Sequence, residues 1–190
     1  MQCEDKTEEI FDFDGELTCW RQKVEVANRA YEGKRYSQAE ILYADCLNQA
    51  EQWPKGLHHS DGRELSSALS KSLNNLGAVY HVQGKYTMAE EIYERSLQLK
   101  QELFGENSVD YALCLQNLAA CYSAKGRYEE AEHMFSRSLK IREGILGENS
   151  PELVTTLKNF ALLLKKLGKL LESMAMEVRA SKIETACCKN

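Results

Sequence analysis

LNNLGAVYHVQGKYTMAEEIYERSLQLKQELFGENS, residues 73–108, decides the fold, because the chain repeats it. Forty-two residues later, from Leu115, it reads LQNLAACYSAKGRYEEAEHMFSRSLKIREGILGENS, and another forty-two on, from Leu157, LKNFALLLKKLGKLLESMAMEV. An earlier copy, KVEVANRAYEGKRYSQAEILYADCL, starts at Lys23. Self-similarity at a fixed period of this size marks a stack of supersecondary units. Three units are well formed and the fourth decays.

Within a unit the apolar period is helical. Leu73, Leu76, Gly77 and Tyr80 fall at i, i+3, i+4 and i+7, one stripe on a first helix. A small residue recurs beside it at Ala27, Gly77, Ala119 and Ala161, where a second helix can come close. Gly33, Gly84, Gly126 and Gly168 then mark the turn. The second helix carries Ala89, Ile92, Tyr93 and Leu97, echoed by Ala131, Met134, Phe135 and Leu139. Ser37…Glu40 and Thr87…Glu90 read as capping boxes at its start, and Ser150-Pro151-Glu152 as an N-cap with proline in the first turn. Such a hairpin cannot bury both faces alone, so neighbours must stack. A single four-helix bundle would not repeat its glycines and alanines on this period, and no heptad persists across units.

The small residue and tyrosine of the first helix, with Ala…aromatic in the second, resemble the tetratricopeptide repeat (TPR). LNNLG, QGKY, AEEIYERSL and the FGENS or LGENS linker are most similar to the kinesin-light-chain type, over about Lys23 to Ala180. Two departures stand out. Asn107-Ser108-Val109 and Asn149-Ser150-Pro151 occupy the place of that family's His-Pro, and its N-terminal heptad coiled coil is absent. The resemblance therefore implies a fold, not motor-subunit function. The expected fold is all-α, a right-handed superhelical solenoid of antiparallel helix pairs over residues 18–182. Its units are about 20–67, 70–111, 112–153 and 154–182, with an acidic flexible segment at 1–17 and a frayed tail at 183–190. Ser173 and Glu177 replace the alanine and aromatic of the last second helix, which reads as a cap with a polar outer face.

Composition narrows function. The 190 residues carry 43% hydrophobic and 28% charged side chains and a net charge of −5, which disfavours nucleic acid and anionic membrane as partners. The longest apolar run, Phe160 to Leu164, ends at Lys165 and Lys166, far short of a bilayer span. MQCEDKTEE is acidic where a targeting peptide would be basic, so the expected location is cytoplasmic. The seven cysteines form no CxxC pair, and Cys46, Cys114 and Cys121 fall in helical patterns as small buried hydrophobes. Cys187-Cys188 lie near the C-terminus without the aliphatic residues or polybasic stretch of a lipidation signal. No nucleophile motif accompanies His58, His59, His81 or His133, and no phosphate loop or metal motif is present. We therefore expect no enzyme, no cofactor and no metal, but a protein-binding adaptor.

The candidate site is a second stripe on the first helices. It reads Arg21, Val24, Glu25 and Asn28; Lys71, Asn74, Asn75 and Ala78; Leu113, Gln116, Asn117 and Ala120; Thr155, Lys158, Asn159 and Leu162. Asparagine recurs at one place in three units, Asn75, Asn117 and Asn159, although it is a poor mid-helix residue. In the resembled family this stripe lines the concave groove and its asparagines hold extended peptides. Together with Lys165, the basic residues suggest an acidic or carboxylate-ended peptide. The expected groove set is Arg21, Asn28, Lys71, Asn74, Asn75, Gln116, Asn117, Lys158, Asn159 and Lys165. The asparagines could equally bond to neighbouring helices and fix stacking. The chaperone-binding carboxylate clamp, by resemblance, fits only at Asn28 and Asn75, with Val24, Leu113 and Asn117 at its charged places. A further reading makes 8–20, with Phe11 and Phe13 among acids, either a ligand mimic or a cap packed through Leu17 and Trp20. The competing function is a weakly self-associating scaffold using repeat ends or the convex face. His58-His59 and Trp53 sit in the longer link between the first two units, where Asp61-Gly62 reads as turn and Asp61…Glu64 as a cap.

Overall fold

The computed structural model describes residues 12–53 and 59–187, residues 59–62 by their backbone alone. Its elements are α1 (Phe13–Glu32), α2 (Tyr36–Gln52), α3 (His59–Val82), α4 (Tyr86–Phe104), α5 (Val109–Ala124) and α6 (Tyr128–Leu146). A 3-10 turn (Pro151–Leu153), α7 (Val154–Lys166) and α8 (Leu170–Cys187) follow. No strand occurs among the described residues. The helices pair as α1/α2, α3/α4, α5/α6 and α7/α8, and each pair packs on the next. The expected all-α repeat stack is the observed one.

The four hairpins close with one turn. The amide five residues on reaches back to a carbonyl near the end of the first helix: Arg35 to Ala30 (2.8 Å), Lys85 to Tyr80, Arg127 to Tyr122 and Lys169 to Leu164 (each 2.9 Å). This closure puts one residue in the left-handed region, and Gly84, Gly126 and Gly168 sit there at φ 77°, 80° and 75°. The first hairpin departs from the sequence reading. Gly33 has φ −74°, and Lys34, at φ 57°, takes the strained place one residue later.

The second helices start without the expected capping boxes. α2 and α4 begin at Tyr36 and Tyr86, one residue before Ser37 and Thr87, and their N-caps Arg35 and Lys85 make no side-chain cap bond. The tight turn leads straight into the helix, so Glu40 and Glu90 are released for another task. Glu40 accepts from Lys85 (2.9 Å) and Gln83 (2.8 Å) of the next unit, Glu90 from Lys125 and Arg127, and Glu132 from Lys169. The genuine caps belong to other helices. Asp12 accepts from the Gly15 amide, Ser108 from Tyr111, and Ser150 from Glu152 with proline at the first turn.

The segment boundaries also shift. Because Asp12 caps α1, residues 13–17 are helical rather than part of a flexible 1–17 segment. Phe13, Leu17 and Trp20 are buried with Cys46, Ala50, Trp53 and Ala68. The Trp20 indole donates to the Cys46 carbonyl at 3.0 Å, and Trp53 stands edge-on to Phe13 and Trp20. Trp53 is a core residue, and Phe13 packs as a cap rather than as a groove mimic. α3 already runs from His59, so Asp61-Gly62 lies inside a helix and not in a turn. Phe11, Pro54, His58 and Cys188 lie outside the described residues. α8 continues through Cys187, held by buried Ile183, so 183–187 is not a frayed tail.

One core runs through the stack, built from Ala27, Tyr43, Leu76, Tyr93, Leu118, Phe135, Phe160, Leu164 and their neighbours. The thiols of Cys46, Cys114 and Cys121 are buried, and burial raises all three, Cys46 and Cys121 to about 11. They behave as the small hydrophobes expected of them.

Two helices approach closely at Gly77, where an added Cβ would stand 2.7 Å from the Tyr93 ring. Replacing Gly77 by leucine overpacks this contact and should cost about 1–3 kcal/mol in a denaturant melt. Lys34→Gly should do the reverse. Removing a side chain from a left-handed residue should raise stability by about 1 kcal/mol, read as a higher melting temperature with unchanged circular dichroism.

Candidate binding groove

The first helices α1, α3, α5 and α7 touch in succession and form one surface. Repeat register sets which side chains face it. Asn75 and Ala78 line a small hollow of about 140 Å³ with Asn28, Tyr31, Glu32 and Tyr43. The corresponding Ala120 and, one unit on, Asn159 and Leu162 line a larger one of about 520 Å³. The remainder of the larger hollow is His81, Ser123, Ala124, Phe135, Leu163, Lys165 and Lys166.

The expected groove residues separate into three groups. Asn75 and Asn159 are half-buried and line the hollows. A second group is occupied in holding the repeats. Asn117 Nδ2 donates to Asn74 Oδ1 at 2.9 Å, bridging α3 and α5, and Asn28 accepts from the Tyr43 hydroxyl at 2.6 Å. Gln116 is 6% exposed and leaves the surface altogether. Its Oε1 accepts from Arg142 (3.3 Å) and from Thr156, inside the α5/α6/α7 junction. Arg142 explains this inward turn. Arg142 is 4% exposed, it makes no ion pair among the described residues, and its guanidinium donates to Gln116, Thr156 and the Glu152 carbonyl. Burial pushes its pKa down.

The third group is the cations, most of which already have acids. Lys158 pairs with Glu184 at 2.6 Å, Lys165 with Glu177 at 2.7 Å, and Arg21 with Glu64 at 3.5 Å. α8 supplies two of those acids, which the sequence reading did not place opposite the stripe. Lys71 is exposed with no ion-pair partner among the described residues. Lys166, which the sequence reading left out, makes a long bond to the Ser123 hydroxyl (3.4 Å) and lies over the Tyr128 ring. His81 and Ser123 were missed as well. They sit one residue beyond Tyr80 and Tyr122, one turn past the positions scanned, and extending the stripe by that turn finds them.

His81 is the chemically distinctive member. Its Nε2 is buried and has no partner among the described residues. Burial lowers its pKa, against a hydrogen bond to the Ala120 backbone that acts the other way. The folded chain therefore keeps His81 neutral where the unfolded chain takes a proton. Stability should fall as pH drops below about 6.5, before the carboxylates titrate. Thermal melts between pH 7 and about 5 should show this slope in the wild type and a shallower one in His81→Gln.

No group of three or more His, Cys, Asp or Glu that could hold a metal occurs among the described residues, and none of their helices is long and apolar enough to cross a membrane. The fold and surface together define a helical-repeat scaffold of the kind that works through protein contacts. The sequence profile of the tetratricopeptide repeat family matches residues 68–144 and, overlapping, 117–184. The chain belongs to that family. No curated protein sequence matches it. Among solved structures, BtubC (BKLC) from P. vanneervenii is similar at 21% identity and TM-score 0.59, covering 95% of this chain and 94% of that one. The TPR-like repeats of a Podosopora anserina protein assigned as a kinesin light chain are similar at 15% identity and TM-score 0.58, covering 92% and 99%. The apo form of RapI is similar at 16% identity and TM-score 0.69, covering 88% of this chain and 43% of RapI. At these identities the likeness is one of fold.

Proposed function

We propose that the chain is an adaptor that binds an extended peptide along its first-helix surface, seated in the hollow between α3, α5 and α7. The observation that carries this is the chemistry of that hollow. Leu162 stands 59% exposed in it, beside the half-buried Asn159 amide and the buried, unpartnered His81 nitrogen. An apolar side chain of the ligand covers Leu162, its backbone bonds Asn159, and an acidic group meets Lys166 or Lys165. Groups of this kind gain by being covered, whereas a surface meant only for water would not retain an exposed leucine beside an unpaired nitrogen. The acidic preference is weaker than the sequence reading implied, because Lys158 and Lys165 must leave Glu184 and Glu177 to serve it.

The reading separates two asparagines that sequence alone treats as equals. Peptides selected from a displayed random library should weaken against Asn159→Ala by about 1–2 kcal/mol, the loss of one desolvated hydrogen bond. That variant should melt unchanged or slightly higher, since alanine favours helix. Asn117→Ala should instead lower the melting temperature, by leaving Asn74 half-buried without its partner, and keep affinity. Selection that yields no peptide, or peptides indifferent to Asn159→Ala, Leu162→Asp and Lys166→Glu alike, would remove the groove as the binding site.

A further inference from the structure

α8 breaks the pattern of the other second helices on its outer side. Its inward residues are Ser173, whose hydroxyl donates to the Ala161 carbonyl at 2.9 Å, together with Ala180 and Ile183. The expected polar outer face is thus only half present. Glu177 is exposed, as expected of a cap, but Ser173 is fully buried. Opposite Ser173 and Ala180, at i, i+3, i+4 and i+7, lie Leu171, Met174, Ala175 and Val178, with Leu170 beside them. Leu171 is 84% exposed, Met174 58%, Val178 52% and Leu170 60%. In α6 the same repeat positions as Leu171, Met174 and Val178 hold Glu129, Glu132 and Ser136, and in α4 they hold Thr87, Glu90 and Glu94. Three polar places have become apolar on one helix only, and they are contiguous. Scattered exposed hydrophobics need no account, but a stripe concentrated on one helix does.

The charges around the stripe select its occupant. Glu172 is exposed near the N-terminal end of α8, and Lys182 is exposed one turn beyond Val178. Neither belongs to an ion pair among the described residues. An acid at one end and a base at the other make the patch complementary to itself when a second copy is turned by a two-fold axis. We propose that two copies of this chain associate through α8, antiparallel, about an axis at the level of Met176 and Glu177. Met174, Ala175 and Val178 of each copy cover those of the other, Leu171 lies along the Lys182 stem of its mate, and Glu172 of each meets the Lys182 ammonium. Ala175, near the axis, lets the helices approach. The stripe lies on the side of α8 away from α7, so both peptide grooves stay open and the dimer is bivalent. The inference stands apart from the groove reading, since it needs no peptide.

Sedimentation equilibrium under reducing conditions, which keep exposed Cys19 and Cys187 from linking copies, tests it. The wild type should rise from the monomer mass of 21.6 kDa toward twice that value with concentration. Leu171→Glu/Met174→Glu/Val178→Ser, which installs the residues of α6, should stay monomeric with unchanged circular dichroism and melting temperature. Lys182→Glu alone should weaken the dimer by at least several-fold, and Glu172→Lys/Lys182→Glu should restore it. A wild type that is monomeric throughout overturns the proposal. So does a triple variant that still dimerises, or a double charge swap that does not recover. If the wild type stays monomeric but sediments with phosphatidylserine vesicles, the stripe takes a lipid surface and the two-fold dimer is wrong.

Discussion

The structure depends on how closely the two helices of a hairpin can approach, and the small residue in each first helix sets that distance. At Gly77 the Tyr93 ring lies where a Cβ would be, and Ala27, Ala119 and Ala161 are buried at the equivalent places. Close approach lets an aromatic of the second helix fill the angle between units, so the next hairpin has a surface to sit on. A hairpin alone would leave that aromatic wet. Stacking is therefore not an addition to a stable unit but the condition of its stability. The groove follows, because first helices held at one spacing present the same repeat positions side by side.

Much of this was legible because it is periodic. The forty-two-residue register identified the helices, the turn glycines, the buried cysteines and the line of positions that forms the groove surface. What failed was local chemistry that competes with tertiary structure. Ser37 and Thr87 have the spacing of caps, yet the turn already satisfies the backbone, so Glu40 and Glu90 reach the next unit instead. Lys34 occupies a glycine's conformation one place after Gly33, because the turn's hydrogen bonds fix the geometry whatever residue stands there. The recurrence of asparagine was visible, but not its division of labour. Asn117 meets Asn74 only because α3 and α5 adjoin, and sequence spacing does not show which neighbour an amide will find.

The cations give the same lesson in electrostatic form. Lysines on a groove face of an acidic chain look available, yet recurrent inter-unit pairing takes up many of the charges. Arg95, Arg137 and Arg179, at one repeat position, reach back to Glu51, Glu106 and Glu143, while Lys85, Arg127 and Lys169 reach Glu40, Glu90 and Glu132. Each exposed pair contributes little stability by itself. Their collective effect is on register, since a unit shifted by one residue would leave these carboxylates facing uncharged residues such as Tyr86, Tyr128, Leu170, Ser96, Ser138 and Ala180. Among the described groove cations, Lys71 and Lys166 stand outside these series and make no ion pair.

The two outer surfaces of the stack bear on how copies meet. α1 presents Asp14, Thr18, Gln22, Glu25 and Arg29 to water, all exposed. α8, where another hairpin would seat, presents Glu177, Ser181 and Glu184 beside Met174 and Val178, the two acids being tied to Lys165 and Lys158. A copy stacking end to end would have to strip water from these groups and break those pairs, for little apolar area in return. End-to-end growth is therefore disfavoured by the same side chains that occupy the groove lysines. The apolar stripe of α8 has no apolar counterpart among those α1 residues, so another α8 covers it better than the opposite end of the stack does, which directs association toward a closed pair instead of an open filament. One helix thus shapes both interactions of the protein. Its acids set how much positive charge the groove can offer a ligand, and its outer stripe sets how many grooves act together.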